Sequence, residues 1–176
     1  MLAVCVAPLI AAYLVFELWP PARRMNYGDL IGPVPLEEAP TLGPDGPPLP
    51  LRGLKGSWIM LHVDKARCDE YCEKKLYYMR QVRLAQGREM DRVERVWLVI
   101  DDAAVPGLLV TNYPGLRIAR VAGSKLLAQF PVTRDVRDHI YLIDPLGSLM
   151  LRYPRDPDPS RMKKDLERLL KVSRIG

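Results

Sequence analysis

Two cysteines, Cys68 and Cys72, separate an apolar run from a segment with helical spacing, and this arrangement constrains the fold more than any other feature of the chain. The apolar run, residues 58–63, is rich in strand-favouring residues and predicts a buried β-strand. Apolar residues then recur at helical spacing from Cys72 to Gly87, where a glycine can close a helix. The sequence therefore predicts a strand, a turn that carries the cysteines, and a helix.

The two thiols predict soft-metal or redox chemistry. Residues four apart on a helix share one face, with Cα atoms about 6 Å apart, so the sulfurs can form a disulfide or bind one ion. Arg67 and the positive end of the helix favour thiolates, whereas Asp69 and Glu70 partly oppose them. Because CxxxC is a weaker signal than CxxC, the alternative of two inert, half-buried cysteines stays open.

The rest of the chain predicts an α/β domain. Further strands are expected at residues 93–101, 117–121, 139–144 and 148–153, with a hairpin turn through Gly147. An amphipathic last helix begins after a cap at Asp158 or Ser160. The order βα, β, β, ββα is that of a thioredoxin-like layer sandwich, whose first helix begins at the cysteines.

The amino-terminal region has the composition of a membrane segment. Residues 2–16 are almost wholly apolar, and Trp19 followed by Pro20 and Pro21 is typical of a helix that ends at headgroup depth. A secretory h-region has the same length, but no small-x-small cleavage site follows, which favours an uncleaved transmembrane anchor over residues 1–19. Cys5 would then be a lipid-facing thiol. Residues 20–50, dense in proline and glycine, predict a linker, and residues 51–176 predict the thioredoxin-like domain.

Charge and motif content argue against several functions. The net charge of +5 is spread along the chain and mixed with carboxylates, so no nucleic-acid partner is expected. The basic stretch at residues 161–171 carries an apolar stripe, as a helix packed on a core does. The chain has no glycine-rich phosphate loop, GxSxG motif or histidine-rich metalloenzyme spacing. Nothing outside the cysteine pair suggests catalysis.

Three motifs resemble those of the Sco/SenC family. They are Leu54-Lys55-Gly56-Ser57-Trp58 before the first strand, Cys68-x-x-x-Cys72, and Asp138-His139 followed by Tyr141-Leu142-Ile143-Asp144-Pro145-x-Gly147. Sco/SenC proteins are membrane-anchored, thioredoxin-like copper proteins that assemble cytochrome c oxidase, and the resemblance covers roughly residues 51–153. It implies copper as the bound metal, with Cys68, Cys72 and His139 as its ligands. Two thiolates suit Cu(I), and an imidazole nitrogen lets the same site hold Cu(II).

Two departures from the family pattern bear on the ligands. Glu73 follows the second cysteine where the family normally has proline, and fewer residues separate His139 from the Tyr-Leu-Ile strand. A shift by an odd number of strand residues reverses the face of a side chain, so His139 would point away from the sulfurs unless a bulge compensates. An ordinary strand-entry histidine is the alternative. His62 and Met79 are expected in the core rather than as ligands.

The resemblance implies a copper chaperone of a bacterial inner membrane, with a single transmembrane pass and a periplasmic domain. Its partner would be a cytochrome c oxidase subunit or another oxidase assembly factor. The first alternative is a cell-envelope thiol-disulfide oxidoreductase that uses Cys68 and Cys72 as a catalytic redox pair without an ion. His139 occupies the position where thioredoxin-type reductases have a cis-proline, which makes general disulfide exchange the less natural function. The second alternative is a non-catalytic oxidase assembly factor with a degenerate site.

Local charge and the resemblance disagree on orientation. Arg23 and Arg24 follow the predicted anchor and nothing basic precedes it, so the positive-inside rule alone places the domain in the cytoplasm. A disulfide between the cysteines persists in an oxidising compartment, which agrees with the periplasmic location that the resemblance implies. A basic stretch upstream of this sequence would remove the conflict. We expect the periplasmic orientation.

Overall fold

The computed structural model describes residues 26–36, 55–132, 134–173 and 175, and it places five further positions, 6, 8, 11, 13 and 15, in helix. The strands are β1 (Asp29–Pro35), β2 (Trp58–Asp64), β3 (Val93–Val99), β4 (Leu116–Arg120), β5 (Ile140–Ile143) and β6 (Ser148–Arg152). The α-helices are α1 (Glu70–Leu84), α2 (Gly107–Asn112) and α3 (Pro159–Val172). Short 3₁₀ helices span Gly87–Arg92, Lys125–Gln129 and Val136–Asp138.

Most of the predicted membrane anchor, residues 1–19, lies outside the described residues, as does most of the predicted linker, residues 20–50. Among the helices that are described, none combines the length and the apolar character that a membrane crossing needs. The transmembrane anchor therefore stays a prediction.

The six strands form one mixed sheet in the order β1-β6-β5-β2-β3-β4. β2, β3 and β4 run parallel, whereas β5 pairs antiparallel with β2, β6 with β5, and β1 with β6. β2 lies at the centre, and each of its residues is buried. Strands buried on both faces are near-continuous apolar runs, which is why residues 58–63 could be predicted as a strand. The predicted order βα, β, β, ββα is present in the structure.

β1 lies within the segment predicted to be a linker and corrects that part of the prediction. It pairs antiparallel with β6 at the edge of the sheet, where Pro33 and Pro35 are tolerated because few of its backbone groups need a partner. Most of its side chains are exposed, so it lacks the apolar alternation that marks a strand in a sequence. Gly28 packs against Leu151 so closely that a Cβ atom would collide with that side chain. The folded domain therefore includes residues 26–36.

Apolar side chains cover both faces of the sheet. On one face, Trp58 and Met60 of β2 pack with α1 and α3 in a cluster that contains both cysteines. On the opposite face, β2 packs with Leu126 and Phe130. Met79 of α1 is fully buried in the first cluster, as predicted. Because side chains alternate along a strand, the even-numbered residues of β2 belong to the face that the helices cover.

Both long helices begin after an aspartate cap. α1 begins at Glu70, two residues before the predicted start, because Asp69 accepts a hydrogen bond from the backbone N–H of Cys72 at 2.9 Å. α3 uses the first of its two predicted caps, since the carboxylate of Asp158 accepts from the backbone N–H of Ser160 at 2.8 Å. The first cap fixes Cys72 in the first turn of α1.

A buried carboxylate of α3 holds the chain that leads into β1. Asp165 is 1% exposed. Its oxygens accept hydrogen bonds from the backbone N–H of Tyr27 at 2.8 and 3.0 Å and from that of Gly28 at 3.0 Å. Hydrogen bonds to an ionised acceptor are stronger than neutral ones, so this contact ties the edge strand to the last helix.

We predict that Asp165→Ala lowers the free energy of unfolding by about 2 kcal/mol, because two buried backbone donors lose a charged acceptor. Urea denaturation of the oxidised protein, followed by circular dichroism, measures this change. Glu167→Ala is the matched control on the same helix: its carboxylate makes an exposed pair with Lys163 at 3.2 Å, and its loss should cost less than about 0.5 kcal/mol. Equal effects of the two substitutions would contradict the assigned role of Asp165.

Candidate metal and redox site

The site lies where β2 ends and α1 begins. The backbone N–H of Ala66 donates to Asp101 Oδ1 at 3.0 Å, which ties the connecting turn to the chain that follows β3. The N–H of Cys68 donates to the carbonyl oxygen of Lys65 at 3.1 Å. Cys68 has a φ of 41°, in the left-handed region that residues with a side chain rarely adopt. Such conformations persist where the surrounding structure imposes them, and they concentrate at functional sites.

The structure joins the two cysteines that were predicted as site residues. Cys68 and Cys72 form a disulfide, with their Cα atoms 5.1 Å apart. Cys68 is 9% exposed, whereas Cys72 is completely buried. Because Cys72 lies in the first turn of α1, the positive end of the helix dipole favours its thiolate after reduction. Both cysteines are therefore largely buried, and Cys68 is the more exposed of the two.

Two polar residues of β2, His62 and Asp64, lie next to the inner sulfur. A ring nitrogen of His62, a carboxylate oxygen of Asp64 and Cys72 Sγ all lie within 4.8 Å of one another. His62 is completely buried; its Nδ1 lies 3.3 Å from the carbonyl oxygen of His139, and its Nε2 lies 3.4 Å from Asp64 Oδ2. Nitrogen, oxygen and sulfur donors in one buried cluster form a set that can bind a transition-metal ion.

The electrostatic environment favours a neutral His62 beside an ionised Asp64. Burial lowers the pKa of His62, although contact with Asp64 acts in the opposite direction. Burial by itself would raise the pKa of Asp64, but contact with His62 and the backbone N–H of Lys65 lower it overall, with a smaller contribution from the charge of Lys75. The pair therefore presents a neutral nitrogen base and a negative charge to the inner sulfur at neutral pH.

Lys75 adds a positive charge close to this cluster. It is 1% exposed, although lysine is rarely buried. Its Nζ donates a hydrogen bond to the carbonyl oxygen of Arg137 and lies 3.7 Å from the centre of the Tyr71 ring. Burial lowers the pKa of Lys75 to about 8, although nearby carboxylates, first among them Asp64, favour the charged form. The site thus combines a buried base, a carboxylate and an ammonium group around a dithiol.

The third predicted ligand, His139, lies apart from this cluster. Its ring packs edge-on against Tyr141, with ring centres 5.9 Å apart, and Tyr141 belongs to the core on the face opposite the cysteines. Its Nδ1 lies 2.8 Å from the carbonyl oxygen of Tyr153. Burial lowers the pKa of His139. The structure does not bring His139 into the cluster of His62, Asp64 and Cys72, and its role as a ligand stays a prediction.

His62 was expected in the core, and its burial agrees with that expectation, but its contact with the cysteine site was not foreseen. A signal was present, since His62 and Asp64 occupy alternate positions of a buried, otherwise apolar strand. Polar groups in such a place are costly unless they have partners, so two of them on one face indicate a shared function. The cysteine turn begins directly after Asp64, which indicates where those partners lie.

A family model and solved structures place this fold among known proteins. A family described as transmembrane-like, thioredoxin-like, C-terminal domain matches residues 58–173. No curated protein matches the chain. Copper-bound ScoI of Bradyrhizobium japonicum has a TM-score of 0.57 and 20% identity, over 80% of this chain and 99% of that chain.

Two further structures show the same fold. BsSco, a member of the Sco family of cytochrome c oxidase assembly proteins with a disulfide switch, has a TM-score of 0.58 and 14% identity, over 83% of this chain and 98% of that chain. The thioredoxin domain of a thiol-disulfide oxidoreductase from Bacteroides vulgatus has a TM-score of 0.62 and 15% identity, over 81% of this chain and 99% of that chain. The predicted thioredoxin-like fold is confirmed, and the resemblance to Sco proteins extends to the fold.

We predict that alkaline pH stabilises the oxidised wild-type protein relative to a Lys75→Met variant. The pKa of Lys75 is about 8 in the folded protein, below that of an unfolded lysine. Between these two pH values the unfolded chain binds more protons than the folded protein, so stability rises with pH across this interval. The wild type should gain about 1–2 kcal/mol over the variant between pH 7 and pH 9.5. Urea denaturation at a series of pH values measures the difference, and parallel curves for the two proteins would contradict it.

Proposed function

We propose that this chain, which belongs to the family of transmembrane-like, thioredoxin-like C-terminal domains, is a membrane-anchored copper-binding thiol protein that assists assembly of the copper site of cytochrome c oxidase. The observation that carries the proposal is the contact between Cys68 and Cys72 at the first turn of α1. Similarity to ScoI, solved with copper bound, and to BsSco, of an oxidase assembly family, supports the choice of metal and of partner. An oxidase subunit or another assembly factor would be the partner.

Copper is the cargo in this proposal, and the dithiol is its binding site. Reduction of the disulfide by a partner dithiol, which supplies two electrons and two protons and becomes a disulfide itself, gives two thiols. Binding of Cu(I) releases the two thiol protons, and two thiolates are a suitable soft ligand set for that ion. The helix end at Cys72 and the charge of Lys75 both favour the thiolate state. The protein would then act as a chaperone rather than as a turnover enzyme.

A thiol-disulfide oxidoreductase is the second candidate function. The disulfide between Cys68 and Cys72 supports it, together with the similarity to the thioredoxin domain of such an enzyme. This function needs the cysteine pair and a partner disulfide, but no ion. Retention of copper by the purified, reduced protein therefore separates the two functions.

We predict that the reduced full-length chain binds one Cu(I) and that Cys68→Ser or Cys72→Ser abolishes stoichiometric binding, because one thiolate is lost in each variant. A Cys5→Ser background removes the third cysteine of the chain, so that the pair alone supplies thiols. Competition with a chromophoric Cu(I) chelator in detergent solution, under nitrogen, measures affinity and stoichiometry.

Tight, stoichiometric Cu(I) binding by the double serine variant would rule out the dithiol as the copper site. Failure of the reduced wild type to bind Cu(I), together with reduction of a protein disulfide, would instead favour the oxidoreductase. Circular dichroism of each serine variant is the control for an intact fold.

We also propose that the domain lies in the periplasm, on the outer side of a bacterial inner membrane. Alkaline phosphatase fused after Gly176 should be active, because that reporter acquires its disulfides only outside the cytoplasm. A fusion to a reporter that is active only in the cytoplasm is the matched control and should be inactive. The reverse pattern would agree with the charge bias of Arg23 and Arg24 and would refute the periplasmic location.

A further inference from the structure

We infer that His62, with Asp64 beside it, supplies the nitrogen ligand to the copper ion that Cys68 and Cys72 bind, and that His139 does not. This inference rests on the proposed function and concerns the same site. It assigns an internal ligand set to the chain, at the end of β2, in place of the outer histidine that the resemblance implies.

The first observation is a buried nitrogen atom without a hydrogen bond. His62 is completely buried, and its Nε2 has no hydrogen-bonding partner among the described residues. Its Nδ1 lies 3.3 Å from the carbonyl oxygen of His139, and its Nε2 lies 3.4 Å from Asp64 Oδ2, so both ring nitrogens face oxygen atoms that accept hydrogen bonds. A neutral ring carries one proton and can donate to only one of these oxygens; in the tautomer that donates to the His139 carbonyl oxygen, the lone pair lies on Nε2. Buried polar atoms normally have partners, and an exception needs a physical explanation.

The second observation is what Nε2 faces. In that tautomer, Nε2 and Asp64 Oδ2, which lie 3.4 Å apart, are two electron-pair donors that face each other inside the protein. This arrangement is unfavourable unless a cation or a proton lies close to both. Cys72 Sγ belongs to the same cluster, in which the potential ligand atoms are all within 4.8 Å of one another. A metal ion at this point would satisfy the nitrogen, the oxygen and the sulfur together.

The separations fit one ion after a small movement. Metal bonds of about 2.0–2.1 Å to nitrogen and about 2.3 Å to sulfur allow two ligands on one ion to be up to about 4.4 Å apart. Reduction of the disulfide frees Cys72 Sγ to rotate about its Cα–Cβ bond and to approach His62. Cys68 Sγ, bonded to Cys72 Sγ in the oxidised protein, is already adjacent and can join the set.

The charges of the cluster also suit a bound cation. Two thiolates and Asp64 bring negative charge into a buried site, which is costly without compensation. A copper ion and the ammonium group of Lys75, which is 1% exposed, both offset that charge. Asp64 acts here as a positioning residue that orients His62 or as a weak oxygen ligand, a familiar arrangement around histidines that bind metals.

The position of His139 argues against it as the nitrogen ligand. Its ring packs against Tyr141, on the sheet face opposite the cysteines. Its backbone, in contrast, is part of the proposed site, since the His139 carbonyl oxygen is the contact that fixes the orientation of the His62 ring. The residue would therefore contribute to the site through its main chain.

The test uses the full-length chain, which contains only two histidines, labelled with ¹⁵N-histidine in detergent micelles. A long-range ¹H–¹⁵N spectrum of the reduced protein shows both imidazole rings, and a His139→Gln variant, which keeps the main-chain carbonyl next to His62, assigns them by removing one set of signals. One equivalent of Cu(I), added as its acetonitrile complex under nitrogen, should shift a ring nitrogen of His62 strongly and leave those of His139 nearly unchanged. The stoichiometry of bound Cu(I) is measured on the same sample.

Each outcome of this Cu(I) titration either supports or overturns the inference. A shift of His139 alone, or of neither ring while Cu(I) is bound, overturns the inference but leaves the proposed function intact. Absence of bound Cu(I) overturns both, and the stoichiometry identifies this case. A shift confined to His62 supports the inference.

Two matched variants give an independent readout. Loss of a residue that only supports a metal ligand commonly lowers metal affinity about 10–100-fold, and loss of a ligand should cost at least as much. His62→Gln should therefore weaken Cu(II) binding at least about tenfold. It should also remove ¹⁴N coupling from the electron paramagnetic resonance spectrum of bound Cu(II). His139→Gln should retain both. The opposite result would overturn the inference, and the wild-type spectra above decide the question if His62→Gln fails to fold.

Discussion

β2 is paired on both sides, with β3 and β5, and every one of its residues is buried. A polar side chain in such a strand cannot be satisfied by water, so it must find its partners inside the protein. His62 and Asp64 meet this requirement by facing α1, where the cap at Asp69 fixes Cys72. The central strand therefore dictates both what the helix must cover and which groups surround the inner sulfur.

Copper binding and thiol exchange make different demands on this cluster. A disulfide exchange protein needs a group that exchanges a proton with the inner thiol, and a neutral imidazole can do so. A copper carrier needs the same nitrogen as a ligand, with its lone pair free. The geometry at His62 serves either chemistry, because in both cases a buried base faces Cys72. The proposed function is the copper carrier, since the two sulfurs and the imidazole together form a ligand set suited to both copper valences.

The elements that could be predicted from the sequence are those with strong local patterns. The apolar run of β2, the helical spacing of α1 and the hairpin turn at Gly147 each specify their structure within a few residues. β1 could not be predicted, because an exposed, proline-containing edge strand carries no apolar pattern and its partner β6 lies more than a hundred residues away in the chain. Its pairing is a tertiary contact, and tertiary contacts leave no local signature.

Only the local part of the site, the cysteine pair, could be predicted from the sequence. Cys68 and Cys72 are close in sequence, so their pairing follows from helix geometry. The environment of the inner sulfur depends on β2, whose side chains meet α1 only after the fold has formed. His62 and Lys75 resemble core and surface positions in the sequence, and only the packing of α1 on the sheet makes them neighbours of the dithiol. For His139, the spacing raised the question of which face it occupies, and the structure places its ring with Tyr141.

The unequal exposure of the two cysteines bears on which sulfur of the disulfide a thiolate would attack. Cys68 keeps 9% of its surface exposed and Cys72 keeps none, so Cys68 is the more accessible of the two to an incoming thiolate. In the thiol-exchange function, attack on Cys68 Sγ would form a mixed disulfide, break the internal sulfur–sulfur bond, and release Cys72 Sγ as a thiolate at the start of α1. If the chain acts by thiol exchange, Cys68 Sγ would be the point of attachment for a partner, and Cys72 Sγ would resolve that attachment from within. A covalent complex with a client would thus always be linked through the same atom, so the partner's orientation on this edge of the sheet is restricted before any other contact forms.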